Sequence, residues 1–122
     1  MATTIQLGQD WIAFHYGVRE YLDQFEEYPF VRKLCDTDPY GDTIYHREDC
    51  QALQLEIGAL LKRAKQKDLP APPELIVSET PGPRNPDDEP FGWDGSVEFL
   101  TRLNGLLEAA IKTDADLSVI GD

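Results

Sequence analysis

Basic residues are scarce in this chain and thinly spread. Its 122 residues hold 11 Lys and Arg against 23 Asp and Glu, a formal net charge of -12. A protein that grips a phosphate backbone or an anionic bilayer needs clustered cations, and no such cluster is present; nucleic-acid and membrane-surface partners are therefore excluded as expectations. Cysteine is nearly absent: two residues, Cys35 and Cys50, cannot build a disulfide framework, and reduced thiols are expected. No apolar run approaches the roughly 18 residues of a membrane span. The opening MATTIQLGQDWIAF has neither a basic leader region nor an uninterrupted apolar core, so no signal peptide is expected and the cytoplasm is the expected compartment. Also missing are a glycine-rich phosphate loop, a nucleophile elbow and the paired-histidine helix of metalloproteases.

What is present is acid, and it is placed unevenly. Residues 1–67 hold 8 Lys/Arg and 11 Asp/Glu, a net of -3; residues 68–122 hold 3 and 12, a net of -9. A field of that kind repels polyanions and attracts basic protein surfaces. The length fits one domain, 1–122, with a core of its own, and the apolar residues are clustered and periodic, which argues against global disorder.

Periodicity predicts a mostly α domain of three main helices. Trp11, His15, Val18, Leu22 and Phe25 recur at helical spacing and predict a first helix over about 9–27. A shorter segment, 29–34, begins with Pro29 where a first helical turn tolerates it. The strongest pattern is 47–66: Cys50, Leu53, Ile57, Leu60 and Ala64 form one stripe, acids open the segment and Lys62, Arg63 and Lys65 close it, matching the macrodipole. A third stripe, Val97, Leu100, Leu103, Leu107 and Ala110, predicts a helix over 95–112 capped by Asp94 or Ser96. Thr43 to Tyr45, Leu75 to Val77 and Leu117 to Ile120 are short extended candidates, enough for a small strand pair. Between Pro70 and Pro90 lie seven of the nine prolines, so 68–93 reads as a long acidic loop. Gly58 and Gly105 fall inside helical patterns, where either a close helix crossing or an exposed, tolerated glycine accounts for them.

Three constellations bear on chemistry. Asp36, Asp38, Gly41 and Asp42 imitate part of a calcium loop, but its fifth position is Tyr40 and its twelfth is Arg47, so an ordinary turn is expected. His46 and Cys50 stand four apart, as a nucleophile and base or half a zinc site would; zinc lacks two further ligands at any standard spacing, and Cys50 reads better as a small core residue. No metal, cofactor or catalytic residue is expected. The third constellation is Asp87, Asp88 and Glu89 followed by Phe91, Trp93 and Asp94. Acids beside large aromatics suit a surface that selects a basic partner and anchors it, with Glu79 and Asp114 flanking. The alternative is that Phe91 and Trp93 tuck inward and staple the loop to the last helix.

The stretch FGWDGSVEFLTRLNGLLEAAIKTDADLSVIGD, in a small, acidic, helix-rich chain, resembles the immunity proteins of bacterial toxin systems. That resemblance implies a protein that is not an enzyme: an inhibitor that binds a cognate toxin domain with a basic surface and occludes its active site. The alternatives are an adaptor, a secretion chaperone or an assembly subunit, and after them a small Cys/His enzyme or metal-binding protein.

Overall fold

The computed structural model describes residues 3–36, 42–76 and 89–120. Its elements run β1 (Thr3–Leu7), β2 (Asp10–Phe14), α1 (Tyr16–Leu22), α2 (Pro29–Cys35), β3 (Asp42–Tyr45), α3 (Arg47–Lys65), β4 (Leu75–Ile76), β5 (Glu89–Pro90), α4 (Gly92–Thr113) and β6 (Leu117–Ile120). This is an α+β fold, not the mostly α domain of three main helices that periodicity predicts. Four strands form an antiparallel sheet in the order β2-β1-β6-β3, and β4 pairs with β5 as a separate antiparallel ribbon.

The largest correction is at the N-terminus. Residues 9–27 are not one helix: β1 and β2 are a hairpin closed by Gly8-Gln9, and only Tyr16–Leu22 is helical. Gly8 takes φ +60 as the first central residue of this two-residue turn, a conformation glycine adopts without strain and one whose twist suits paired strands. The supposed stripe fails at its first member. Trp11 is 59% exposed, whereas Ile12 and Phe14, two apart, are buried. Val18, Tyr21 and Leu22 do bury along α1, so a real short helix and a real strand were fused by spacings compatible with both.

The other helices follow their sequence signals. Cys50, Leu53, Ile57, Leu60 and Ala64 are the buried residues of α3, and the Asp49 carboxylate accepts the His46 amide at 3.2 Å to close its first turn. α4 starts three residues before the predicted boundary. Its N-cap is Phe91, with no side-chain cap, and Ser96 is buried, donating its hydroxyl to the Trp93 carbonyl at 2.9 Å. An added Cβ at Gly58 or Gly105 would meet nothing within 4 Å, so these are the tolerated kind of glycine. Gly95 is the constrained one: its Cβ would come to 2.7 Å from Phe91 Cδ1.

α3 and α4 pack against each other and, with α1 and α2, bury one face of the sheet in a single core that includes Ile5, Phe14, Leu117 and Val119. Phe14 stacks on Phe99 with ring centroids 5.7 Å apart. Tertiary polar contacts fix the smaller pieces. Glu56 on α3 accepts the Phe30 and Val31 amides at 3.0 Å each and so caps α2 from outside its own chain segment, since Tyr28 supplies no side-chain cap. Tyr21 donates its hydroxyl to the Pro70 carbonyl at 2.6 Å, and the Phe91 and Gly92 amides reach the Glu74 and Pro73 carbonyls, so both ends of the proline-rich stretch are pinned to the body.

Candidate interaction surface

Strand alternation sorts the sheet into two unlike faces. Toward the helices the row Ile12–Ile5–Val119–Thr43 runs across all four strands; one residue away, the row Trp11–Gln6–Ser118–Ile44 faces the other way. A second outward row is Ala13–Thr4–Ile120–Asp42. None of these eight outward side chains is buried, and Trp11 and Ile44, on the two edge strands, are 59% and 55% exposed. Three strand spacings put them about 14 Å apart. In a chain whose residues are 28% charged, Asp42 is the one ionisable group in these eight positions. None of the four strands contains Lys or Arg. Leu55 on α3, 78% exposed, is different in kind: a lone apolar residue on a helix surface is ordinary, whereas a platform that carries exposed Trp and Ile with a single charge is a candidate interaction surface.

The acid-and-aromatic constellation is only partly within the described residues; Glu79, Asp87 and Asp88 lie outside them, and of Glu89 only the backbone, in β5, is described. Trp93 is half-buried and Asp94 exposed in the first turn of α4. Phe91 is the residue that tucks inward, buried with its ring edge-on to Tyr21 at 6.3 Å. Asp114 is at the far end of the same helix, in the left-handed C-cap position with φ 52, about 30 Å from Asp94 by helical rise. There it lies 3.9 Å from Arg47, and beside it Asp116 accepts from His46 Nδ1 at 3.0 Å. These two exposed pairs tie the start of α3 to the turn between α4 and β6.

The same contacts decide the thiol chemistry. His46 is engaged with Asp116, whose hydrogen bond and charge push its pKa up; the Cys50 thiol donates to the Tyr45 carbonyl at 3.7 Å, and burial pushes its pKa up. The nucleophile-and-base pairing of these two residues is not formed. Cys35 and Cys50 are both free and buried, and burial pushes the Cys35 thiol up to about 12, the opposite of an activated nucleophile. Among the described residues no three His, Cys, Asp or Glu side chains converge as metal ligands; residues 37–41 of the imitation calcium loop lie outside them. No described helix is long and apolar enough to cross a membrane.

No family model, characterised sequence or solved structure matches this chain. The site therefore rests on its own geometry. Of its main residues, Trp11 falls by helical spacing on a predicted buried stripe, and Ile44 falls in a short extended candidate whose spacing does not say which face is solvent-exposed. The alternation of Thr3 to Leu7, followed by Gly8 and the short apolar run Trp11 to Phe14, is the signal that points to the hairpin.

Proposed function

We propose that this protein is a non-catalytic binding protein that neutralises a cognate toxin in the cytoplasm, as the immunity proteins it resembles do, by covering the toxin's active site. The observation that carries the reading is the solvent face of the sheet, where Trp11 and Ile44 stand exposed on a platform with a single ionisable group. Tryptophan is the residue most often found at the energetic centre of a protein interface, and neutral side chains there are desolvated at little cost. The concentration of acid in residues 68–122 supports a basic partner, and toxins that act on nucleic acids present basic clefts. Asp87, Asp88, Glu89 and Asp94 steer association, and Trp93, Glu79 and Asp114 remain candidate contacts of the acidic half.

The test is capture of the tagged protein's partner from its own cells, washed at low and then high salt. One stoichiometric basic toxin domain, inactive while bound, is the expected result. Reversing Asp87, Asp88 and Glu89 to Lys slows association and flattens its salt dependence, and Trp11→Ser with Ile44→Ser speeds dissociation. Self-association in place of a distinct partner replaces this reading with the assembly-subunit alternative.

A further inference from the structure

The two-residue turn fixes which backbone groups of the hairpin are used. Leu7 and Asp10 flank it and form a hydrogen-bonded pair, so the bonded pairs continue at Ile5 with Ile12 and at Thr3 with Phe14. Trp11 and Ala13 occupy the alternate positions, and their N–H and C=O groups point away from β1. Among the described residues β2 is the last strand of the sheet on that side. Among the described residues none of these four groups has a partner. The edge is lightly guarded: Asp-Trp-Ile-Ala-Phe carries one charge, Asp10 beside the turn, contains no Lys, no Pro and no bulge, and pairs residue for residue with β1. On the opposite edge strand, β3, the Tyr45 carbonyl already accepts from the Cys50 thiol at 3.7 Å.

We infer that the free edge of β2 receives an extended, basic segment of the partner protein as a fifth strand, hydrogen-bonded to Trp11 and Ala13, with the Trp11 ring covering its outward side chains. The inference rests on the protein-binding reading above and names the mode of contact. Backbone pairing gives such a strand its affinity, and the neighbouring side chains select it. Charge selects a basic occupant. The four strands hold two charged side chains, Asp10 and Asp42, both acids, in a chain of net charge -12. Arg19, a cation near this strand, keeps its charge, but its guanidinium is held toward the core side, 5.4 Å from the centre of the buried Phe14 ring and donating to the buried Thr3 Oγ1 at 3.3 Å. A second copy of the chain would bring its own Asp10 and net charge to the same edge and is disfavoured by repulsion.

The test uses a capped heptapeptide alternating lysine and valine, read by amide hydrogen exchange on the whole protein. The Trp11 and Ala13 amides exchange fast in the free protein and slow at least about tenfold with saturating peptide, while Ile12, already bonded to β1, is unchanged. The matching glutamate–valine peptide gives no protection. Ala13→Pro removes an N–H that bonds to nothing in the fold, so the variant keeps the wild-type urea midpoint and loses the peptide. If that variant does not fold, the wild-type exchange pattern decides alone. Absence of protection, equal protection by the acidic peptide, or protection that grows with protein concentration without peptide each overturns the inference. Capture of the cellular partner by Ala13→Pro at wild-type affinity also overturns it and leaves the inhibitor reading intact. Protection by the lysine peptide in a protein that captures nothing from cells retains the edge and removes the inhibitor reading.

Discussion

The two faces of one sheet have opposite relations to the rest of the molecule. Facing the helices, Ile5, Phe14, Leu117 and Val119 are at most 1% exposed and share one core with α1 to α4. Facing solvent, one residue further along each strand, Trp11 and Ile44 are more than half exposed, although both are as apolar as the residues they alternate with. The difference teaches that apolarity alone does not place a side chain. Register does, and a residue apolar enough for the core but left outside it is available for another molecule.

The sharpest way to break the comparison is to truncate one aromatic on each face. Phe14→Ala removes a fully buried ring stacked on Phe99 and is expected to cost about 3–5 kcal/mol in urea unfolding, against less than about 1 kcal/mol for Trp11→Ala. Equal costs would mean that Trp11 is a structural residue and the outer face no docking platform. Next in size is Glu56→Ala on the helix side. It leaves the Phe30 and Val31 amides without their carboxylate and is expected to cost about 1.5–3 kcal/mol, with faster amide exchange at the start of α2.

Smaller effects come from the glycines of the helix layer. Gly105→Ala and Gly58→Ala meet open space and are expected to stabilise by roughly 0.5–1 kcal/mol, while Gly95→Ala, pressing on Phe91, is expected to destabilise by about 1 kcal/mol. The reversal of sign in matched urea curves is the measurement. The smallest effect is at the exposed pair that closes β3 against β6. The bond to Asp116, and then its charge, raise the His46 pKa above its ordinary 6.5, with Asp49 and Glu48 adding to the rise. The raised group contributes its full stability below about pH 6.5, and that contribution is lost as pH climbs through the folded-state pKa. Asp116→Asn should lower the urea midpoint in mildly acid solution and leave it unchanged in alkaline solution; a difference independent of pH would contradict this account.

Legibility varied with the kind of signal. The α3 stripe was read residue for residue, because five buried positions at helical spacing with charged ends admit one structure. The N-terminal hairpin was not, because Trp11, His15, Val18, Leu22 and Phe25 satisfy a helical template by joining a strand to a helix, and spacing carries no record of which residues share an element. In the candidate site the aromatic pair was half resolved: Phe91 buries, while Trp93 stays partly accessible in the first turn of α4. The acids around it were visible as charge, but charge alone does not say which of them meet.

The sequence by itself determined the strong negative field, the acidic C-terminal half, the α3 and α4 stripes and the proline-rich interruption between them, since each depends on composition or on neighbours close in the chain. Tertiary structure decided the rest. β6 comes from the far end of the chain to pair with β1 and β3, Glu56 caps a helix 26 residues away, and only the assembled sheet assigns Trp11 and Ile44 to the face that no helix covers. The physical reason is that pairing, capping and burial are contacts between distant segments, and their partners are fixed only when the whole core closes.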